Sequence, residues 1–461
     1  MRKFLNHSAL ALLVAASLSA CAVGPDYQTP ARVADISFSS PYQQAEQAQS
    51  WWQAFDDATL NQLISRALQE NRTLAQARAN VDRAWAVFRD ANNDFLPKGT
   101  VDAGYQASEN GTVSPADDGV ISRGYSGGAN LSWDIDLFGK IRRATEAAEA
   151  QAQQADILWH DAQVQLISQV ATSYGEYRGA QLRLVVAEQN LQNLQQSRAI
   201  VLARLEAGMA SELELAQIDV QLHQVHAAVP AYRVALLTAD ATLSALLAQQ
   251  PGTLKLGAVP HLPELKQPVA VVDGENYLRY RADVASSERV LAARTAQIGV
   301  ATADLYPNLS VRGFLGFISG PGLTVGGETQ SWSVAPTLSW QAADLGSVKA
   351  RIRQAEASSQ MALAQFEQQV FNAINEMQLS LNSYNLSREQ QLSTELQWQA
   401  SNKAVQIARQ RYNAGSGEFL DLLDAERELL RSRDQLAQLQ QQSFTRLVGI
   451  YRSFGGGIQL I

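Results

Sequence analysis

The sequence has very little cysteine, no long apolar run in its main part and no excess of positive charge. Cys21 is the only cysteine among 461 residues, which excludes any disulfide within the chain. No apolar stretch after Cys21 approaches the roughly 20 residues of a membrane-spanning helix, so any membrane crossing would need β-strands. The formal net charge is -8, and an acidic balance without basic clusters argues against nucleic-acid partners.

Motifs that support catalysis or metal binding are also missing. The chain shows no Ser-His-Asp order, no phosphate-binding loop and no supported pair of catalytic carboxylates, so we expect no enzyme activity. His223 and His226 lie three residues apart on a predicted helix, but no ligand motif surrounds them. We interpret them as part of a solvated helix face, and we expect no metal and no non-covalent cofactor.

The N-terminal residues carry an export signal. Arg2 and Lys3 precede the apolar run Ala9–Ala16, and Leu18–Cys21 supplies small residues before a cysteine. The pattern predicts a signal peptide over residues 1–20 and a mature chain with S-diacylglycerol and N-palmitoyl groups on Cys21. The residue after Cys21 is Ala22. An Asp at this position would retain a bacterial lipoprotein in the inner membrane. We therefore expect a lipid-anchored protein of the outer membrane that extends into the periplasm.

Short motifs of the first half recur in the second half at a constant spacing. Two of the three pairs share an offset of 207 residues and the third has an offset of 210. An offset kept over so long a span indicates a tandem duplication. The pairs are Leu131-Ser132-Trp133 with Leu338-Ser339-Trp340, Arg204–Gly208 with Arg411–Gly415, and Phe95-Leu96-Pro97 with Leu305-Tyr306-Pro307.

Each copy contains two segments in which apolar and polar residues alternate. The alternation predicts β-hairpins at about 98–137 and 308–342, each with one apolar face, although Pro336 would remove one ladder donor. A soluble sandwich remains an alternative. Two hairpins cannot close a barrel, so a membrane barrel would need several chains, and a threefold ring would supply twelve strands. The apolar positions are Val101, Ala103, Tyr105 and Ala107; Ala129, Leu131, Trp133 and Ile135; Leu309, Val311, Leu315 and Phe317; and Trp332, Val334, Leu338 and Trp340.

Most of the remaining chain is predicted to be helical. Residues 139–207 and 346–414 contain no proline and are rich in Ala, Gln, Leu, Arg and Glu, which favour helix. Each stretch would reach on the order of 100 Å. Ala187, Leu194 and Val201 lie seven residues apart, as in a coiled coil.

Each long helix is predicted to end at a glycine and to turn back as a hairpin. Gly208 and Gly415 suit the left-handed residue that follows a helix C-terminus. Ser211 and Glu214 form a capping box for the next helix, while Ser416-Gly417-Glu418 restarts it in the second copy. The hairpins therefore have tips at Gly208 and Gly415.

Four further motifs follow one another along the mature chain. They are Cys21–Tyr27, Trp51-Trp52 with Phe55, Asp57 and Leu60, Trp133–Lys140, and Tyr412–Gly415 leading to Leu420–Arg427. In this order they resemble the outer-membrane factors of tripartite pumps, the TolC and OprM type, especially NodT-like lipoproteins of resistance-nodulation-division (RND) efflux systems. The resemblance covers essentially the whole mature chain. Gln341–Asp344 departs from the Pro-x-Phe-Asp usual there, which affects a strand-to-helix junction.

The resemblance implies an α+β membrane protein that assembles as a homotrimeric channel-tunnel. It implies a shared twelve-stranded outer-membrane β-barrel, a long periplasmic α-helical coiled-coil barrel and a mixed equatorial belt. Drugs or other small toxic compounds would pass passively, driven by an inner-membrane RND transporter through a periplasmic adaptor. The expected division is a signal peptide (1–20), a lipidated tether with an equatorial segment (21–56), a first repeat (57–250), an equatorial linker (251–273), a second repeat (274–450) and a tail (451–461).

The candidate functional residues lie at and beside the hairpin tips. Asp421 and Asp424 share one helix face directly after a tip. The resemblance implies that they form a periplasmic gate and selectivity ring together with Leu420, and that the tips at Gly208 and Gly415 contact the adaptor. The alternative is an ordinary solvated face. The first copy carries Leu213, Glu214 and Gln217 at the matching positions, so its ring would differ.

Two other functions fit the same architecture. One is the outer-membrane duct of a type I secretion system, which would differ mainly in its partners. The other is a non-conducting coiled-coil lipoprotein that tethers envelope layers. Electrical conductance separates a duct from a tether.

Overall fold

The computed structural model describes residues 22–30, 43–44, 50–109, 121–257, 261–263, 265, 270–271, 281–320 and 326–457. A short 3-10 helix, Trp51–Phe55, precedes the first long element. The helices are α1 Ala58–Glu70, α2 Arg72–Asn93, α3 Lys140–Glu206, α4 Glu212–Leu246, α5 Ala282–Ala303, α6 Leu345–Asn413 and α7 Phe419–Ser453. The strands are β1 Gln43–Gln44, β2 Lys98–Glu109, β3 Ile121–Ile135, β4 Ala270–Val271, β5 Asn308–Ser319 and β6 Gln330–Ser339.

The duplication predicted from the motifs is confirmed by the order and lengths of the elements. Helices α2 and α5 both have 22 residues, and strands β2 and β5 both have 12. Helices α3 and α6 have 67 and 69 residues, and α4 and α7 both have 35. Each copy is therefore a helix, a hairpin, a very long helix and a returning helix.

The chain divides into two compact units, and each unit takes segments from both copies. The first contains the described residues of Met1–Ala31, Asn80–Asp156 and Ser286–Glu367. The second contains those of Arg32–Ala79, Ile157–Ala285 and Gln368–Ile461.

The first unit carries a four-stranded sheet in the order β2-β3-β5-β6, with all neighbours antiparallel. Residues opposite each other share a face, and the register aligns Val101, Ala129, Leu315 and Trp332 in one such row. The predicted alternation is thereby confirmed, because its apolar positions fall on one face of the sheet. Pro336 lies in β6, which is an edge strand of this sheet, where a missing donor is tolerated.

Equivalent hydrogen bonds fix each hairpin to the turn that joins it to the preceding helix, α2 or α5. The indole Nε1 of Trp133 donates to the carbonyl of Phe95 at 2.9 Å, and that of Trp340 donates to the carbonyl of Leu305 at 3.0 Å. The motif tryptophans thus have the same role in both copies.

The junctions from strand to long helix differ between the copies. In the first copy, the Asp136 carboxylate accepts the backbone N–H groups of Ile141 and Arg142 at 3.0 and 2.9 Å, which caps α3. The matching position in the second copy is Ala343, inside a 3-10 turn over Ala342–Asp344. The sequence departure at this junction therefore replaces a side-chain cap with a turn.

The second unit is built on an aromatic core made from the predicted tryptophan motif. Trp51 stacks on Tyr451 with ring centroids 4.5 Å apart, and Phe55 packs on Phe444 at 5.1 Å. Asp57 caps α1 through Leu60 N–H and accepts the Tyr174 hydroxyl at 2.7 Å. Burial, with this hydrogen bond, raises the pKa of Tyr174 to about 12.

Two short strands of the second unit join segments that are distant in sequence. Strand β1 pairs in parallel with β4, with Gln43 opposite Ala270. None of the described helices contains the long stretch of apolar residues that a membrane-spanning helix needs.

Candidate functional site at the helix-hairpin tips

Both predicted hairpin turns occur at the expected glycines. Gly208 and Gly415 adopt positive φ angles of 69° and 71°. In each turn the next N–H reaches back to the last helical turn, from Met209 to the carbonyl of Arg204 at 2.7 Å and from Ser416 to that of Arg411 at 2.9 Å. A Cβ at either glycine would meet nothing within 4 Å, so the backbone angle alone requires glycine.

The returning helices begin differently in the two copies. The Ser211 hydroxyl accepts the N–H of Glu214 at 3.3 Å, which is the serine half of the predicted capping box. Helix α7 has Glu418 as its N-cap without a side-chain cap bond.

The three predicted gate residues lie together on an exposed face at the start of α7. Leu420 is 52% exposed although it is a large apolar residue. The Asp424 side chain is 73% exposed, and Arg427 lies 3.4 Å from it one turn later. Asp421 stands in the first turn, where a negative charge stabilises the helix dipole. The structure therefore brings the three residues together on a surface and leaves their role as a gate a prediction.

The matching residues of the first copy are arranged otherwise. Leu213 is 66% exposed, so it resembles Leu420. Glu214, however, accepts the hydroxyl of Tyr412 from the other hairpin at 3.5 Å. Glu214 thus contacts the other hairpin, whereas its partner in the repeat, Asp421, lies on the exposed face of α7. Gln217 lacks the charge that Asp424 carries at the matching position.

An apolar cluster behind the exposed face joins the two hairpins. It draws residues from α3, α4, α6 and α7, and Leu215, Val225, Ala408 and Leu430 pack around it. Since both hairpins contribute, the cluster fixes the start of α7 against α3. Its members are Leu194, Val201, Ile218, Tyr412, Phe419, Leu422 and Leu423.

A buried carboxylate extends this cluster, and the sequence reasoning missed it. The Glu426 side chain is 6% exposed and accepts the Ser197 hydroxyl and the Arg409 guanidinium, both at 2.8 Å. Its place in the chain gives a signal, because it follows Leu422 and Leu423 by four and three residues on the apolar face of α7. A charged residue at such a position indicates a buried polar contact.

Arginine residues of α3 make further links to the second hairpin. Arg204 donates to the carbonyl of Tyr412 at 2.8 Å, and its guanidinium lies 4.2 Å from the centre of the Tyr412 ring. Arg183 binds Asp434 through two hydrogen bonds of 2.8 Å, and Tyr232 donates to the same carboxylate at 3.0 Å. The Arg204 link joins α3 to α6 at the tips, and the Arg183 link joins α3, α4 and α7 many turns further from them.

The two histidines of α4, His223 and His226, belong to no metal-binding group among the described residues. Asp219, one turn before His223, is bound by Arg198 at 2.5 Å, and this hydrogen bond lowers the pKa of the Asp219 carboxyl. Within the described ranges, no three His, Cys, Asp or Glu side chains are placed to hold a metal ion.

The predicted lipidation site at Cys21 stays a prediction. Cys21 and the signal peptide before it lie outside the described residues.

The comparisons with known proteins identify the family. Residues 63–249 and 275–456 match the model of the outer membrane efflux protein family. The chain belongs to this family. It is 29% identical to outer membrane protein OprJ of Pseudomonas aeruginosa, with 97% of this chain and 95% of OprJ covered. It is 30% identical to the toluene efflux pump outer membrane protein TtgI of Pseudomonas putida, covering 99% and 98% of the two chains.

A solved structure agrees with the same assignment. The outer-membrane channel OprN superposes with a TM-score of 0.90 at 40% identity and covers 95% of this chain and 99% of its own. The expected family, fold class and outer-membrane location are confirmed. The family member described here is an outer-membrane efflux channel.

Proposed function

We propose that three copies of this chain form the outer-membrane duct of a tripartite RND-type efflux system. A periplasmic adaptor and an inner-membrane RND transporter deliver cargo and energy, and the duct conducts small toxic compounds passively. The observation that carries this proposal is the four-stranded sheet of the first unit. It has one apolar face, and among the described strands its edge strands β2 and β6 each pair on one side only.

The apolar face is too extensive for a water-soluble monomer. Val101 is 87% exposed, Trp332 72% and Leu338 66%, and all three lie on the same face of the sheet. Contiguous exposed apolar surface of this kind marks a protein or membrane interface. Because alternate residues on the other face are mostly polar, the pattern supports a sheet with lipid on one side and a lumen on the other.

The strand directions support closure by copies of the chain. Every neighbouring pair in β2-β3-β5-β6 is antiparallel, so β2 and β6 run in opposite directions. The free edge of β6 can therefore pair in antiparallel fashion with β2 of the next copy. Within lipid each unpaired backbone group costs several kcal/mol, which favours closure. A ring of three gives twelve strands.

The N-terminus and the hairpin tips complete the proposal. Cys21 carries the diacylglycerol and palmitoyl groups that anchor the chain in the outer membrane. Leu420, Asp421 and Asp424 face the axis of the trimer and narrow its periplasmic end, and the turns at Gly208 and Gly415 contact the adaptor. Their exposure at the tips supports both roles.

Mass and conductance measurements test the duct. The full-length protein, purified in detergent, should have the mass of a trimer and should produce single-channel currents in a planar bilayer. A folded monomer in the soluble fraction, or intact trimers without any conductance, would contradict the proposal. The second result would favour a non-conducting tether.

A further inference from the structure

The residues that follow Cys21 are fixed in a groove of the first unit. We call Ala22–Pro30 the strap. Its Val23 N–H donates to the carbonyl of Phe138 at 3.1 Å, and the hydroxyl of Tyr27 donates to Glu288 at 2.8 Å. Tyr27 also packs on an alanine cluster formed by Ala150, Ala292 and Ala293. The strap therefore lies between α3 and α5, with contacts at Val23 and at Tyr27.

A buried arginine of α3 holds the first half of the strap. The Arg143 side chain is only 5% exposed. It donates to the carbonyls of Val23 and Gly24 at 3.2 and 3.4 Å and to the Asp26 carboxylate at 2.6 Å. Its remaining partner is Glu146 at 2.8 Å. A buried guanidinium is stable only when its donors are satisfied, and most of its partners here belong to the strap.

Three glycines allow the backbone of the strap to approach the helices. A Cβ on Gly24, which has a φ of +89°, would lie 2.4 Å from the Cα of Gly299. A Cβ on Gly299 would lie 2.6 Å from the Arg143 side chain and 2.9 Å from the carbonyl of Val23. Gly139, with a φ of +79°, would place a Cβ 2.7 Å from Ala22. Such contacts require residues without a side chain.

Only one of the two repeat copies has the residues that form each side of this groove. With the offsets of the repeat, the position of Arg143 corresponds to Ala350, and that of Gly299 corresponds to Arg89. The second copy therefore lacks the arginine, and the first copy has a bulky side chain where the strap needs glycine. Two copies of one plan have diverged at the residues that touch the strap.

The strap begins where the sheet ends. Val23 binds the carbonyl of Phe138, which lies between the last residue of β3, Ile135, and the first of α3, Lys140. Cys21 precedes the strap by one residue. We infer that Arg143 and the strap form a positioning device that places the acyl chains of Cys21 beside the ends of β3 and β5, so that lipid and sheet enter the bilayer together. This inference rests on the proposed lipidation of Cys21.

A photoactivatable fatty acid tests where the lipid lies. Cells that express the full chain are fed a diazirine analogue of palmitate and irradiated, and cross-linked peptides of the purified protein are identified by mass spectrometry. In the wild type, the acylated N-terminal peptide should cross-link to strand residues 131–135 or 309–313. Arg143→Met should keep the acyl label and lose most of this cross-link, by fivefold or more. Arg294→Met is the matched control, because Arg294 is exposed on α5 and binds only Gln297 of its own helix at 2.9 Å in the described contacts.

Hydrogen exchange of the strap gives a second measurement. Residues 22–30 should exchange at least tenfold faster in Arg143→Met and in Gly299→Ala, and at the wild-type rate in Arg294→Met. If Arg143→Met yields no trimer, Asp26→Asn replaces it and should raise exchange by a smaller factor. Acyl label with unchanged cross-links and unchanged exchange would overturn the role of the strap alone. Absence of label from the wild type would overturn the lipid anchor and the positioning device together. The hydrogen exchange of the strap would then measure only how firmly the strap binds to the first unit.

Discussion

Asp161 is a half-buried carboxyl in a charged cavity of the second unit. The cavity has a volume of about 310 Å³, and Arg281, Asp283, Glu376, Arg452 and His160 share its lining. Arg281 is engaged by other groups, since it binds Asp283 and Glu376 and the carbonyl of Ser453. Burial raises the pKa of Asp161 and outweighs the opposing hydrogen bond with Gln165. The charge of Asp283 adds to the rise, and the charges of Arg281 and Arg452 oppose it.

This environment predicts how stability depends on pH. Because the folded-state pKa of Asp161 lies above its ordinary value of 3.8, its contribution to stability is fully present below that value and is lost as the pH rises through the folded pKa. Asp161→Asn should therefore raise the thermal midpoint at pH 7.5, and the gain should shrink at pH 4. Glu389→Gln, at an exposed position of α6, is the control and should show no such difference. A lower midpoint for Asp161→Asn at pH 7.5 would contradict the assignment.

Single residues were predictable from the sequence where their role depends on the residues next to them. Gly208 and Gly415 were predictable because a helix end and a left-handed residue follow from neighbouring residues alone. Glu426 and Arg143 were missed, because their partners Ser197 and Asp26 lie far away in sequence. The residues next to it in sequence show that a charged residue lies in a helix. They do not show which distant group will form its hydrogen bonds or ion pairs.

At the scale of helices, a close crossing in the second unit depends on glycine. A Cβ on Gly175 of α3 would lie 2.4 Å from the ring of Phe444 on α7, and a Cβ on Gly179 would meet Gln441 at 2.4 Å. Phe444 also packs on Phe55, so it cannot move without disturbing the aromatic core. Gly449 of α7 has no neighbour within 4 Å of an added Cβ.

Replacement by alanine should therefore change stability differently at Gly175 and at Gly449. Gly175→Ala should lower stability, because overpacking costs about 1–3 kcal/mol and exceeds the gain of up to about 1 kcal/mol from helix propensity. Gly449→Ala gains only the propensity and should be neutral or slightly stabilising. Denaturant midpoints of the two variants, compared with the wild type, measure the difference. Equal midpoints would show that α3 and α7 do not cross closely at Gly175.

The elements themselves were largely predictable, and their pairing was not. Long proline-free stretches and two-residue alternation are periodic signals, so the lengths of α3 and α6 and the apolar face of the sheet followed from sequence. The pairing of β3 with β5 joins residues that are far apart in sequence, and alternation carries no information on it. Strands β1 and β4 have two residues each, too few for any period to be read.

For the molecule as a whole, the sequence already indicates that one chain has too few strands to close a barrel. Four strands cannot close a barrel alone, so counting strands predicts assembly once the sheet is taken to cross a membrane. Nothing in one chain fixes the number of copies, which came from the family resemblance. The strap belongs to the same scale, because it joins the N-terminus to helices from both copies of the repeat.

The proposed gate is a property of the trimer, since each chain supplies one face of it. Leu420, Asp421 and Asp424 lie on one exposed face at the start of α7, and threefold symmetry would gather each into a ring. Like charges crowded around one axis repel and are stabilised by cations, so the rings should favour cation passage.

Single-channel recordings of substituted trimers test these rings. Replacing Asp421 and Asp424 by Ala should lower cation selectivity, because two carboxylates leave the constriction from each copy. Leu420→Ala should raise conductance by widening it. Leu213→Ala is the matched control, since Leu213 is 66% exposed at the equivalent position of the first copy and should change conductance less. If intact trimers of all these variants keep the conductance and selectivity of the wild type, the exposed face of α7 is an ordinary solvated surface and the constriction lies elsewhere in the channel.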